Sequence, residues 1–172
     1  MSETLVRHQV PVLALTPEVF APYGQVVLTR RSGNQFDANT YLAWEHPEEA
    51  QLTLGNGTPR IWIMHQFRRG RRFNQIARHR RVTQCLGALE GKEWLMAFAP
   101  PQDLSDSARP RLEDIVGFRI PGDVIIKLHI ATWHAGPHFD HEDCKFINLE
   151  NMDTRERDFH ATDLATACEL VG

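Results

Sequence analysis

Arg78-His79-Arg80-Arg81-Val82-Thr83-Gln84-Cys85-Leu86-Gly87-Ala88-Leu89-Glu90-Gly91 decides how the rest of the chain is read. It sets an imidazole five residues before a carboxamide, and the carboxamide seven residues before a glycine. Side chains alternate along a strand, so His79 and Gln84 would lie on opposite faces of one straight strand. A turn at Arg80-Arg81 brings both to one pocket. A second histidine, in Ala131-Thr132-Trp133-His134-Ala135-Gly136-Pro137, lies far enough along for a later strand to return it to the same place.

Around this stretch the chain reads as short strands separated by turns. Val10 to Leu15 suits an edge strand, since Pro11 lacks an amide proton. Thr16-Pro17-Glu18 starts a helix, with Val19, Phe20 and Tyr23 on its buried side and Pro22 and Gly24 ending it. Strands follow at Gln25 to Thr29, Arg60 to Phe67 and Phe73 to His79. Gln84 to Leu89 and Glu93 to Ala99 read as a hairpin across Glu90-Gly91-Lys92. Ile115 to Ile120, Val124 to Ile130 and Lys145 to Glu150 complete the set. Arg30 to Asn39 is a polar loop, Tyr41 to Trp44 a short apolar piece, and the tail from Thr162 has spacing suited to a short helix. About eight strands and little helix indicate an antiparallel sandwich or barrel. The jelly roll is the member of that class that hosts a His-lined pocket.

The 172 residues suit one domain, with 42% hydrophobic and 24% charged residues. The formal net charge of -3 implies no general attraction to nucleic acid or anionic membrane. Cys85, Cys144 and Cys168 show no C-x-x-C spacing and read as reduced thiols of a cytoplasmic protein. Met1 to Leu5 does not read as a signal peptide, and no apolar run reaches membrane-spanning length.

Gln84-x6-Gly91 and His79 resemble the second half of the first cupin motif, with Gln for Glu and Ala77 where the first His would stand. Gly122 to His134 echoes the second motif, one residue too long and without its Pro and Gly. A closer resemblance is to the ureidoglycolate lyase family. Its E-R-H-P-x-G-S-Q-A-F is matched by Ala77 to Leu86, with Arg78, His79 and Gln84 kept; Ala131 to Pro137 resembles its G-x-W-H-x-P, and Leu15 to Gly24 its N-terminal L-T-x-E-x-F-x-x-(Y/F)-G. Phe98-Ala99-Pro100 and Phe146 to Glu150 match further segments, so the likeness runs over about residues 13 to 151. Ala77, Arg80, Val82 and Glu150 depart from the family's Glu, Pro, Gly and Asp.

The resemblance implies a cupin-type double-stranded β-helix, or jelly roll, of antiparallel strands with short terminal helices. It also implies cleavage of ureidoglycolate to glyoxylate and urea in purine breakdown, and a homodimer. His134 and His79 are the expected catalytic residues. His79, Gln84 and His134 are the expected ligands of a divalent metal (Ni, Zn or Mn), or the site works with none. His65 or His129 could complete a ligand set that Ala77 leaves short, and His138 and His141 with Asp140 and Asp143 could form a separate metal patch. Arg78, Gln84, Arg72, Lys127 and Trp133 are candidates to hold a small ureido or hydroxy acid, arginine because its fork matches a carboxylate. The alternatives are a divergent cupin acting on another small acid and a non-catalytic binding protein.

Overall fold

The computed structural model describes residues 7–28 and 49–172. The polar loop at 30–39 and the apolar piece at 41–44 lie outside the described residues. In chain order the elements are β1 (His8–Ala14), α1 (Pro17–Phe20), β2 (Gly24–Val27), β3 (Pro59–Phe67), β4 (Arg72–His79), β5 (Gln84–Ala88), β6 (Gly91–Ala99) and a 3-10 turn (Leu112–Asp114). They continue with β7 (Val116–Gly122), β8 (Ile125–Leu128), β9 (Trp133–His138), β10 (Asp143–Asn151), α2 (Thr154–Arg157) and β11 (Phe159–Val171).

The strands form two sheets. One closes on itself in the order β1-β11-β4-β9-β6-β7, and the other runs β2-β8-β5-β10-β3. This barrel-like sandwich agrees with the jelly-roll expectation. Alternation along the strands builds the core. On β6, Trp94, Met96 and Phe98 enter a cluster with Phe20, Leu86, Ile126 and Phe146, drawn from both sheets. Leu95, Ala97 and Ala99 face the other way, into a second cluster with Ile76, Trp133 and Ile115. Thr16 caps α1 by accepting from the Val19 amide, and Phe20 meets Phe98 and Phe118 edge-on at 5.2 and 5.3 Å.

Four expectations need correction. Val19 is exposed; a single helical turn can bury only one side, and Phe20 takes it. β1 is an interior strand. Residues His8 to Pro11 pair parallel with β11, and Val12 to Ala14 pair parallel with β7, so the sandwich is not wholly antiparallel. Pro11 stands where pairing passes from one neighbour to the other, a point that tolerates its missing donor.

β5 and β6 are not a hairpin. β5 pairs with β8 and β10, whereas β6 pairs with β7 and β9. Glu90 and Gly91 both take positive φ, and this tight turn carries the chain from one sheet to the other. Gly91 also lies opposite Gly122, where a side chain would collide with the Gly91 and Lys92 backbone. The glycines of the two half-motifs therefore meet.

The tail is a 13-residue strand, not a helix. Its even positions from Thr162 to Leu170 are the more buried ones, a period of two, and β4 and β1 flank it. Among the described residues no helix is long and apolar enough to cross a membrane.

Candidate active site

His79 is the last residue of β4 and Gln84 the first of β5, so the turn at 80–83 carries the chain between the sheets and returns both side chains to one cavity of about 350 Å³. β9 brings the third group. His134 lies opposite Ala77 on β4 and Phe98 on β6, and its ring centroid is 5.2 Å from that of His79. A backbone bond locks the two segments together: the Ala131 amide, at φ 70°, donates to the His79 carbonyl at 2.6 Å.

Hydrogen bonds define the protons. His134 Nδ1 lies 3.2 Å from the Thr132 carbonyl, an acceptor only, so Nδ1 carries hydrogen and Nε2 keeps its lone pair. His79 Nδ1 is buried without a partner. Burial pushes the His79 imidazole down to about 4, partly opposed by the Gln84 amide. Burial and the neighbouring His79 charge push His134 down to about 3, against the pull of the Thr132 carbonyl. Both rings are neutral at pH 7.

Glu150 was not singled out as a site residue from the sequence. Its Oε1 accepts from Arg60 Nη2 at 2.6 Å and Trp62 Nε1 at 3.1 Å, and its Oε2 accepts from Gln84 Nε2 at 3.1 Å. The Gln84 NH2 group is thus turned toward Glu150, with Asn148 Oδ1 at 3.4 Å, and its carbonyl end is left for His79. A signal existed: period two in Phe146 to Glu150 sets Phe146, Asn148 and Glu150 on one face, two of them polar on a buried strand face. Arg69, Thr154, Arg155 and Phe159 also line the cavity and were missed. Arg69 comes from a loop and Thr154 and Arg155 from the short α2, where no periodicity marks a face, while Phe159 opens β11.

Other expected residues stand elsewhere. Arg78, fully buried, points away from His79 into the second core cluster. It donates to the carbonyls of Asp103 and Ser105 at 2.6 Å and lies 4.3 Å over Trp133. Trp133 is likewise buried and bonds Gln102. Arg72 is exposed and paired with Glu169. Lys127 is buried opposite Cys85 on β5, with its Nζ 3.3 Å from His129 Nδ1. None of these four lines the cavity.

His79, Gln84 and His134 do not fit a tightly held divalent cation: two imidazoles and one weakly donating amide oxygen fall one strong donor short of the three that open metal sites use. Ala77 supplies only a methyl group, and the Glu150 carboxylate is engaged by Arg60, Trp62 and Gln84. His65 bonds Asp143 and His129 bonds Lys127, so neither completes the set. The suggested patch is also dispersed: His138 is tied to Gly70, Asp140 to Arg71, and His141 to the Glu93 carbonyl. Among the described residues no three His, Cys, Asp or Glu side chains gather at ligand distance.

The buried rings make stability depend on pH. Their folded values, about 4 and about 3, lie below the ordinary 6.5, so below pH 6.5 the unfolded chain binds more protons. Their contribution is complete above that pH and is lost as pH falls toward 4. His138, pushed down to about 4 by burial, adds in the same sense. Asp158, whose carboxyl burial pushes up, acts oppositely. The urea midpoint is expected to fall steadily from pH 7 to pH 4.5, and less so in His134→Gln. A midpoint level across that range would contradict the buried neutral rings.

A cupin-type sandwich with two imidazoles and a carboxamide facing one cavity defines the class of protein. Within it, the chain belongs to the ureidoglycolate lyase family, whose family model matches residues 7–169. Among curated proteins, no sequence matches the chain. Family membership supports an enzyme that cleaves ureidoglycolate, as expected from the sequence, and neither alternative gains an observation.

Proposed function

We propose that the cavity cleaves ureidoglycolate by proton transfer through the His79–His134 pair. The observation that carries this reading is the meeting of the two neutral imidazoles, 5.2 Å apart, at one cavity. Cleavage removes a proton from the substrate hydroxyl and forms the glyoxylate C=O as the C–N bond breaks. The bond electrons pass to the ureido nitrogen, which takes up a proton to give urea. His134 Nε2, with its lone pair free, is the base. Two buried rings side by side disfavour a free imidazolium, so His134 takes the hydroxyl proton in concert with protonation of the leaving nitrogen and no imidazolium accumulates.

Among the described residues the cations that line the cavity are Arg155 and Arg69, both exposed, and we assign the substrate carboxylate to them. His79 Nδ1 and Thr154 Oγ1 are buried, unpartnered atoms of lining residues, and a bound substrate would partner them. Gln84, held by Glu150, is left to orient the ureido end.

The test is glyoxylate release from ureidoglycolate by the purified protein, with metal analysis alongside. No glyoxylate from metal-loaded and metal-free protein alike removes the reading. Arg155→Ala is expected to raise KM about tenfold or more with kcat little changed, the effect of losing a charge-assisted bond. An unchanged KM would take the carboxylate away from Arg155.

A cytoplasmic homodimer is part of the proposal. The three cysteines are unpaired, and Ile61, Ile63 and Phe67 are exposed on the outward face of β3, apolar surface that a second copy would cover. A monomer mass by light scattering would remove the dimer.

A further inference from the structure

The turn at 80–83 sets the distance between His79 and Gln84, yet those two residues belong to different sheets and no strand pairing joins them directly. Something else must hold the turn. Asp158, buried at the end of α2, does so. Its Oδ1 accepts from the Arg80 amide at 2.7 Å and its Oδ2 from the Val82 amide at 3.2 Å. These amides have no place in either sheet, and Val82 is itself buried, so an acceptor from elsewhere in the chain is needed. A carboxylate gathering successive backbone amides is a strong one. Thr53 and Thr83 tie the far end of the turn, with Thr83 N donating to the Thr53 carbonyl at 2.9 Å and Thr53 N to Thr83 Oγ1 at 2.9 Å.

Asp158 also joins the turn to the cavity wall. Its amide donates to the Thr154 carbonyl at 3.0 Å, and Thr154 and Arg155 line the cavity. The next residue, Phe159, lies opposite His79 in the β4–β11 ladder, with ring centroids 6.1 Å apart. One side chain thus connects the α2 wall, the Phe159 edge and the segment between the two site residues.

We propose that Asp158 is a positioning residue of the lyase site: its carboxylate clamps the 80–83 turn and thereby sets His79 against Gln84 without touching substrate. The proposal rests on the proton-transfer reading above. Asp158→Asn puts an NH2 group where one oxygen accepted, so one amide of the turn loses its partner. The measurement is kcat and KM for ureidoglycolate, together with the 15N signals of the His79 ring.

The folded variant is expected to keep KM within about twofold while kcat falls about tenfold or more, the scale that a small misplacement costs. The His79 ring signals are expected to move while those of His138, which faces Phe73 and Gly70, stay in place. A wild-type kcat in the folded variant overturns the proposal, as does a fallen kcat with unmoved His79 signals. If Asp158→Asn does not fold, Asp158→Ser, whose hydroxyl keeps one acceptor, takes the same readings. If the wild-type protein itself releases no glyoxylate, the lyase reading fails and the ring signals alone decide the role of Asp158.

Discussion

Replacing His134 by glutamine is expected to lower kcat for glyoxylate release by about 10²–10⁴-fold, the usual worth of a positioned general base. The fold should survive. Glutamine fills much of the imidazole volume, and the backbone of β9 is held by β4 and β6 whatever the side chain. The unfolding midpoint at pH 7 should stay close to that of the wild type. KM should change little, since the carboxylate is assigned to Arg155 and Arg69. The opposite pattern, a kcat near wild type in a folded variant, would remove His134 from the chemistry. His79→Gln provides the comparison. If the pair shares one proton, the two single variants and the double variant should lose similar amounts, because groups acting as a unit are not additive.

Arg78→Met is expected to act on stability, not on substrate. The change strands the Asp103 and Ser105 carbonyls, frees His160 Nδ1 and removes the cation from the face of Trp133. The two carbonyl bonds are part-buried and cost about 1 kcal/mol each when lost, and with the cation–π contact a loss of about 3 kcal/mol follows. In a chain of this size that is a fall in Tm of about 10 °C. KM should remain within about twofold when measured below the transition. A tenfold rise in KM with an unchanged Tm would return Arg78 to the substrate carboxylate. Arg78→Met and Arg155→Ala thus form a crossed pair, one moving Tm and the other moving KM.

The two arginines show where sequence reading stops. Arg78 stands in the family motif beside His79 and carries the side chain best suited to a carboxylate, which made it the natural candidate. Strand alternation turns neighbours to opposite faces, and Arg78 therefore points into the second core cluster while His79 points into the cavity. Alternation was already legible, since Phe73, Gln75, Ala77 and His79 fall on one face of the strand. What could not be read was which face meets the cavity and what covers the other. That cover is the segment from Gln102 to Ile115, which turns Arg78 into a pin for its carbonyls.

Glu150 and Asp158 fail in a different way. Each acts on a residue some 66 to 78 positions away, Glu150 on Gln84 and Asp158 on the 80–83 turn. No local pattern announces a partner so far along the chain. The missing carboxylate at position 77 was visible at once. That Glu150 stands nearby, already committed to Arg60, Trp62 and Gln84, depends on how β10 lies between β3 and β5.

By itself the sequence determined the class of fold, the cupin-like half-motifs, the kinship to the ureidoglycolate lyases and the candidacy of His79, Gln84 and His134. These rest on information carried within a few residues: strand alternation, the turn glycines and motif spacing. Only the tertiary structure decided that β5 and β6 serve different sheets, that β1 lies between two parallel partners and that the tail is a strand. It also decided which cations reach the cavity. The physical reason is common to all of them. A strand's partners, and the face on which its side chains find a cavity, are set by hydrogen bonds and packing between segments far apart in the chain, and those contacts exist only once both sheets have formed.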